Sequence, residues 1–214
     1  MLPSLKVISA NVQRSIANIG GVLELAARRK CQVVCIQEPP LTFGRIRRHP
    51  GFTTIALDDK NVRVAIYLDR RFTGNPIFPP EHSIIGNSLQ SLSLMFTCTQ
   101  GRQSPPGLVP AKVAASHTTD KVVGDFNTRH PLWDPRARPN PRGDKLAAWE
   151  SAHGLHILNP PGPTHQAGGV LDLAFGPAAA FAEFAHWASD HRTLVVSLVR
   201  VCSIPLPPPD PYLE

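Results

Sequence analysis

The sequence contains few cysteines and no long apolar run. Its four cysteines lack the paired spacing of a zinc site or of a disulfide scaffold. Two of them flank one apolar segment, and we expect both to be buried and unreactive. No stretch is long enough to cross a membrane, and residues 1–6 lack the charged head and apolar run of a signal peptide. We therefore expect an intracellular protein without membrane association. The cysteines are Cys31, Cys35, Cys98 and Cys202.

The chain is basic and has enough apolar residues for one sizeable domain. It has 214 residues, 42% of them hydrophobic, which fits one α/β or all-β domain better than two. Lysine and arginine total 22 against 16 acidic residues, for a net charge of +6. Such a charge favours polyanionic partners, although many basic proteins bind none. We expect a monomer with a domain over residues 1–202 and a proline-rich tail or linker over residues 203–214.

Hydrophobic periodicity predicts many short strands and two helices. Apolar spacing typical of one helix face occurs twice, and alternating or β-branched runs predict the strands. The proline- and glycine-rich stretch Gln100–Pro110 is predicted to be a loop. The predicted helices are Ile16–Lys30 and Asp144–His153, and the predicted strands are Leu5–Asn11, Val33–Ile36, Phe52–Leu57, Arg63–Leu68, Ser91–Cys98, Val122–Val123, Leu155–Leu158, Val170–Phe175 and Thr193–Val201.

Acidic and amide side chains stand at the ends of several of these strands. One such residue is usually part of a turn, because its side chain accepts a local backbone hydrogen bond. Five such positions in chain order are harder to explain by turns alone, because catalytic groups collect at the loops that follow rigid strands. The positions are Asn11, Glu38, Asp125, Asp172 and the pair Asp190 and His191.

This set of side chains suits the hydrolysis of a phosphodiester. That reaction needs a positioned water, a base, and positive charge near the phosphoryl oxygens. Asp125 is the predicted base, and Asn127 is expected to donate a hydrogen bond to a phosphate oxygen. Asp172 would hold His191 in one tautomer and favour its charged form, so His191 is expected to stabilise charge at the scissile phosphate.

Oxygen ligands at the same strand ends predict a divalent cation. Magnesium prefers carboxylate and amide oxygens and needs only one or two protein carboxylates. Glu38 is the first candidate ligand, with Asp190 and Asn11 beside it. The expected cofactor is magnesium or manganese.

In chain order, these motifs resemble those of the endonuclease/exonuclease/phosphatase family, which includes DNase I and the apurinic/apyrimidinic endonucleases. The resemblance covers most of residues 5–200. It implies an α/β fold of four layers, a sandwich of two mainly antiparallel β-sheets flanked by helices. The matching segments are Asn11, Gln37-Glu38, Gly124-Asp125-Phe126-Asn127, Thr164 to Leu173, and Ser189-Asp190-His191.

Further motifs are similar to the endonuclease domain of LINE-type (non-LTR) retrotransposons. These are His130 to Asp134, a helix that contains Trp149, Leu155 to Asn159, and Pro163 to His165. The resemblance implies a nuclease that nicks DNA to leave a 3′-hydroxyl for reverse transcription. It also implies a reverse transcriptase domain downstream in the parent element and access to the nucleus. For Trp133 and Trp149 themselves, core packing is the preferred interpretation.

The chain departs from the family in three places. The family places a catalytic Tyr before its Pro-Pro dipeptide, but Phe96 to Pro106 contains no Tyr. Gly107 to Lys121 is too short and too poor in leucine for the expected helix, and Gln13 stands where abasic-site enzymes often have Asp. Two alternatives therefore stay open. One is a catalytically impaired, nucleic-acid-binding remnant, and the other is a phosphatase of the same fold that acts on a small molecule such as an inositol phosphate.

Two basic loops are expected at the rim of the site. One carries Arg45, Arg47, Arg48 and His49 after Glu38, and the other carries Arg136, Arg138 and Arg142 after Trp133. Contacts to backbone phosphates would give DNA affinity that falls with salt, although a solvated loop is an equally good interpretation. The predicted substrate-binding residues are Arg45, Arg63, Thr164 and Arg136.

Overall fold

The structure is a computed structural model that describes residues 5–55, 62–71, 75–77, 84–89, 92–97 and 122–198. The predicted loop Gln100–Pro110, the short segment Gly107 to Lys121 and the tail 203–214 lie outside the described residues. Most of the segment Phe96 to Pro106, in which the family Tyr is missing, also lies outside the described residues. The domain boundary at residue 202 therefore stays a prediction.

Two helices and fourteen strands occur in the described ranges. The helices are α1 (Ile16–Arg28) and α2 (Pro141–Ala152). The strands are β1 (Leu5–Asn11), β2 (Val33–Gln37), β3 (Leu41–Thr42), β4 (Arg45–Ile46), β5 (Phe52–Ile55), β6 (Val64–Asp69), β7 (Asn75–Ile77), β8 (Ile84–Leu89), β9 (Leu92–Thr97), β10 (Val122–Asp125), β11 (His156–Ile157), β12 (Asp172–Gly176), β13 (Ala180–Trp187) and β14 (Arg192–Leu198).

The largest sheet has six strands in the order β13-β14-β1-β2-β6-β5. Strands β1 and β2 are parallel and joined through α1, and every other pair in this sheet is antiparallel. A second group of strands has the order β10-β12-β11, and a third has the order β7-β8-β9, both antiparallel. Strand β9 lies beside β10, so these two groups continue one another.

The side chains of each strand alternate between two faces, and the two faces pack into different apolar clusters. The inter-sheet core lies between the six-stranded sheet and β10-β12, and includes Val7 and Cys35 from one sheet and Val123 and Ala174 from the other. The opposite face of the six-stranded sheet packs against α1. The opposite face of β10-β12 packs against α2 through Leu173 and its neighbours. The four layers are therefore α1, sheet, sheet and α2, and the predicted sandwich is confirmed.

Both helices begin at a side chain that accepts a backbone hydrogen bond. The Asn18 N–H donates to Ser15 Oγ at the start of α1, 3.2 Å away. The Gly143 N–H donates to Asn140 Oδ1 at the start of α2, 2.8 Å away. Helix α2 therefore begins at Pro141, three residues before the predicted start, because proline suits the first helical position. Within the described ranges, no helix is long and apolar enough to span a membrane.

The predicted strands agree with the structure except at some boundaries, and five strands were not predicted. Strand β1 has the predicted bounds, whereas β11 is shorter than Leu155–Leu158. The unpredicted strands are β3, β4, β7, β8 and β13. Cys31 and Cys35 are both buried, but in different apolar clusters. Trp133 and Trp149 are buried against the outer face of β10-β12, in agreement with a packing role.

Candidate active site

The predicted polar residues meet at one end of the inter-sheet core. Asn11 ends β1 beside Gln37 at the end of the parallel strand β2. Asp125 at the end of β10 lies opposite Asp172 at the start of β12. Because alternate residues share a face, these positions continue the rows that begin with apolar side chains such as Val7, Cys35, Val123 and Ala174. At this end of the sandwich, buried polar groups therefore replace the apolar core.

Asn11 and Asp125 connect the two sheets through their side chains. The Asn11 Nδ2 group donates to Asp125 Oδ2 over 3.3 Å, and both residues are buried. Asp125 Oδ1 accepts the backbone N–H of Asn127 at 3.0 Å, and Asn11 Oδ1 accepts that of Gln13 at 3.0 Å. The amide and the carboxylate are thereby held in fixed orientations before any substrate arrives.

Asp172 and His191 form a second buried contact in the same place. The His191 Nδ1 atom lies 2.8 Å from Asp172 Oδ2. The Thr164 hydroxyl accepts the backbone N–H groups of Leu171 at 2.8 Å and Asp172 at 2.9 Å, and it also bonds to the Asp172 carboxylate. With Nδ1 engaged, Nε2 is the ring nitrogen of His191 that remains for another group.

These buried groups shift one another's pKa values. Burial raises the pKa of Asp125 to about 7, and the charge of Asp172 adds to the rise while His191 opposes it. Burial disfavours the charged imidazole, but the Asp172 hydrogen bond and the charges of Asp172, Asp125 and Asp190 raise the pKa of His191 to about 9. Burial also raises the pKa of Asp172, and its bonds to His191 and Thr164 oppose that rise. Near neutral pH the imidazole is therefore charged and Asp125 is partly ionised.

Asp190 lies between two imidazoles. Its Oδ1 atom is 3.7 Å from His191 Nε2, and its Oδ2 atom is 3.2 Å from His165 Nε2. The two rings meet edge to face with centroids 4.7 Å apart. The Ser189 hydroxyl donates to the Asn11 carbonyl oxygen over 2.8 Å and accepts the His191 N–H at 3.1 Å. The loop that carries Asp190 and His191 is therefore attached directly to the end of β1.

Glu38, directly after β2, has an unusual backbone conformation. Its φ angle is +48°, and those of Gln13, Arg14 and Asn127 are also positive. The Glu38 N–H donates to the Arg63 carbonyl at 2.9 Å, and its own carbonyl accepts the Arg14 N–H at 2.8 Å. Non-glycine residues seldom adopt this region, and clusters of them mark sites where the backbone serves function.

Comparisons with known proteins agree with this geometry. Residues 113–195 match the model of the endonuclease-reverse transcriptase family. The structure is similar to the endonuclease domain of TRAS1, a telomere-specific non-LTR retrotransposon, with a TM-score of 0.74 and 22% identity over 92% of this chain and 98% of that one. The resemblance to the endonuclease/exonuclease/phosphatase family is confirmed.

Two further solved structures share the fold of this family. The 3′-5′ exonuclease NExo of Neisseria meningitidis matches with a TM-score of 0.62 and 14% identity over 90% of this chain and 98% of that one. Danio rerio TDP2, solved with a single-strand DNA product, matches with a TM-score of 0.58 and 13% identity over 91% of this chain and 98% of that one. At these identities the structures establish the DNase I-like fold.

One curated protein shares part of the sequence. Adhesion G-protein coupled receptor V1 of Danio rerio is 26% identical over 102 residues, which are 48% of this chain and 2% of that protein. The chain thus spans a very small fraction of this relative's length.

The oxygen atoms of the predicted metal ligands fit a hard divalent cation. Asn11 Oδ1 accepts a single backbone hydrogen bond, so one of its lone pairs is available. Asp190 is half-buried beside it, because Ser189 joins the two segments. Among the described residues, two groups place three possible ligand atoms within 4.8 Å, namely His165, Asp190 and His191, and Asp125, Asp172 and His191. Glu38 is in neither, so its place among the ligands stays a prediction.

The predicted substrate-binding residues lie in different environments. Arg45 and Arg63 are exposed, and Arg63 precedes β6 directly opposite Glu38. Arg136 is exposed and reaches the Gly168 carbonyl at 3.3 Å and Asp134 Oδ1 at 3.7 Å. Thr164, in contrast, is fully buried, and its hydroxyl is used by β12, so the structure places it behind Asp172.

Three supporting residues were not predicted from the sequence. His165 contacts Asp190, and Ser189 holds the end of β1. Asn159 donates to the Asp172 carbonyl at 2.8 Å and accepts the Ala174 N–H at 2.8 Å. Ser189 and His165 stand inside motifs that the sequence analysis quoted, but their contacts join segments that are distant in sequence. A single sequence contains no signal for such a pairing.

Proposed function

We propose that this chain is a divalent-metal-dependent endonuclease that nicks DNA and leaves a 3′-hydroxyl for reverse transcription. The observation that carries the proposal is the buried hydrogen-bonded set in which Asn11 contacts Asp125 and Asp172 contacts His191. A carboxylate with a pKa of about 7 beside an imidazole with a pKa of about 9 combines a base and a positive charge in one place.

In the proposed reaction, Asp125 accepts a proton from water while the water oxygen forms a bond to phosphorus. The bond between phosphorus and the 3′ oxygen breaks, and that oxygen takes up a proton from solvent. The products are a 3′-hydroxyl and a 5′-phosphate. Asp125 suits the base role because it is ionised in part at neutral pH and because Asn11 and Asn127 fix the direction of its lone pairs.

His191 and Asn127 would stabilise the negative charge of the phosphoryl group. Asp172 occupies Nδ1, so the donor of the charged imidazole that remains for the phosphate is Nε2–H, which lies 3.7 Å from Asp190 Oδ1. Asn127 is exposed two residues after the end of β10, and its φ angle is positive. Fixed donors of this kind need no reorganisation as charge develops on the phosphate.

Asn11, Glu38 and Asp190 would hold magnesium or manganese. When bound, this cation supplies positive charge at the phosphoryl and departing oxygens. Three oxygen ligands from the protein leave positions for water and phosphate, as magnesium prefers. The likeness to a retrotransposon endonuclease supports DNA as the substrate and a reverse transcriptase domain as the neighbour of this domain in the parent element, with action in the nucleus.

The test is nicking of supercoiled plasmid by the purified chain with magnesium, with manganese, or with chelator. We expect metal-dependent nicking, and loss of about 100-fold or more in rate for Asp125→Asn, because positioned general bases contribute that much. Nicked product should prime a DNA polymerase without prior phosphatase treatment. Asp69→Asn is the matched control, because Asp69 lies at the opposite end of β6 and pairs with Arg71 on the surface.

A second candidate is a DNA-binding remnant without catalysis, which is favoured by the absence of Tyr between Phe96 and Pro106. It predicts a folded protein that binds DNA but nicks none in either metal. Release of phosphate from an inositol phosphate, without nicking, would instead support the phosphatase alternative. Equal nicking by the parent and Asp125→Asn would contradict the role of Asp125 and point to a contaminating nuclease.

A further inference from the structure

An exposed aromatic residue stands at the tip of the β3–β4 hairpin, which begins three residues after Glu38. We call residues 41–46 the Phe43 hairpin. Its strands pair Leu41 with Ile46 and Thr42 with Arg45, which leaves Phe43 and Gly44 as the two turn residues. Their φ angles are +51° and +75°, as in a type I′ turn. This turn favours Asn-Gly, and a bulky side chain at its first position is disfavoured.

Nothing within the described part of the chain packs against Phe43 to offset that backbone cost. The residue is 100% exposed, whereas Ile16, the next most exposed large apolar residue in the part of the chain whose burial is described, is at 53%. A strained and fully solvated aromatic lowers the stability of the free protein. Such an outlier is best explained by a contact that exists only in a complex.

The base of the Phe43 hairpin is firmly attached. Ile46 packs against the apolar cluster under α1. The Tyr67 hydroxyl donates to the Arg47 carbonyl over 2.7 Å, and burial raises the pKa of Tyr67 to about 12, so the donor stays protonated. A rigid base holds the aromatic tip in place and reduces the conformational entropy lost on binding.

The residues around the tip carry positive charge. Arg45, Arg47 and Arg48 are all exposed, and each adds a guanidinium within a few residues of Phe43. A partner that offers both an anionic surface and flat apolar faces is a nucleic acid, with its phosphates and stacked bases.

We propose that Phe43 is a wedge that inserts between stacked bases of the DNA next to the active site, while the neighbouring arginines hold the backbone phosphates. This inference rests on the proposed function, because it assumes that DNA is the substrate. Insertion of an apolar side chain partly unstacks a base step and bends the duplex. The hairpin begins three residues after Glu38, so the distortion falls close to the scissile phosphate.

The test uses Phe43→Asn in the non-cleaving Asp125→Asn background. Asn-Gly is the preferred sequence for this turn, so the variant removes the ring without weakening the fold. The DNA is a duplex labelled by a fluorescent adenine analogue that brightens when unstacked. We expect the Asp125→Asn protein to raise its fluorescence, and the protein that also carries Phe43→Asn to leave the fluorescence unchanged. Affinity should fall about 10-fold, as for loss of one aromatic stacking contact. The dependence of affinity on salt should not change, because Phe43 carries no charge.

Phe181→Ala is the matched control, because Phe181 is also exposed but lies on β13, at the far edge of the sheet from β5. Equal signal and affinity for the parent and Phe43→Asn would overturn the wedge and leave the proposed function standing. A parent that binds no DNA would overturn both. Binding to anionic lipid vesicles that requires Phe43, with no change on DNA, would assign the tip to a membrane and overturn the wedge.

Discussion

The Asp172–His191 pair links the stability of the protein to pH. The pKa of His191 is raised from 6.5 to about 9 in the folded chain, so folding favours the protonated ring. Its contribution to stability is fully present below pH 6.5 and is lost as pH rises through about 9. The pKa of Asp125 is likewise raised, from 3.8 to about 7, so its contribution is fully present below pH 3.8 and is lost as pH rises through about 7.

We expect the contribution of His191 to the free energy of unfolding in metal-free buffer to fall by about 3 kcal/mol between about pH 6 and pH 10, since one pKa unit corresponds to about 1.4 kcal/mol. Denaturant titrations with chelator at each pH measure this. Asp172→Asn removes the partner of the imidazole, so most of the fall should vanish in that variant. A fall of the same size in both proteins would show that His191 is not responsible.

The sequence predicts the residues of this pair but not the residues that hold them. Asp172 and His191 stand at strand ends, and the local pattern of apolar residues marks those ends. His165 and Asn159 stand in loops, where no periodicity indicates the direction of a side chain. Their contacts depend on how the loop from Leu158 to Val170 folds back over β12, which is a property of the tertiary structure.

At the scale of elements, the first turn of α2 packs very closely against the loop after β10. A Cβ atom at Gly143 would lie 2.2 Å from the Arg129 carbonyl oxygen, which also accepts the Asn140 N–H. This contact is with backbone, which moves little. In α1, by contrast, a Cβ at Gly21 would meet no atom within 4 Å.

We therefore expect opposite effects for the same substitution in the two helices. Gly143→Ala should destabilise the protein by about 2 kcal/mol or more, because overpacking forces a backbone shift. Gly21→Ala should stabilise it by about 0.5–1 kcal/mol through helix propensity. Thermal or denaturant unfolding of both variants decides this. Equal effects would mean that α2 relaxes away from Arg129 at little cost.

Elements with a strong apolar pattern were predicted well, and elements without one were missed. Strand β1 alternates apolar side chains between two cores and has the predicted bounds. Strand β13 is rich in alanine, which carries little hydrophobic signal, and it pairs only at one edge, with β14. The Phe43 hairpin was missed because its turn has Phe in place of the Asn that usually marks a type I′ turn.

At the scale of the whole molecule, the two ends of the sheet carry basic residues in different settings. Arg45, Arg47 and Arg48 follow β2 at the end that carries the site. Arg28, Lys30 and Arg71 lie at the opposite end, because they flank the start of β2 and the end of β6. The net charge of +6 is shared between these regions and others.

The DNA affinity of the non-cleaving Asp125→Asn protein should fall steeply as the salt concentration rises. Only the arginines near the site should contribute to this dependence. Replacing Arg45, Arg47 and Arg48 with Ala should lower the slope of log affinity against log salt by about 2 to 3, because each phosphate contact contributes about 0.9. The matched control replaces Arg28, Lys30 and Arg71 and changes the net charge equally. Equal slopes for the two triple variants would mean that DNA affinity depends on the total charge of the protein alone.

Strand β1 lies between β2 and β14, and the hydrogen bond from Ser189 to the Asn11 carbonyl joins residues 178 positions apart. During translation, β1 leaves the ribosome early and can pair with β2, but it can pair with β14 only after almost the whole domain has been synthesised. Asp190 and His191 arrive at the same late moment. A product of premature termination upstream of them would therefore lack two of the seven predicted catalytic residues, and the proposed nuclease activity would arise only once synthesis had passed β14.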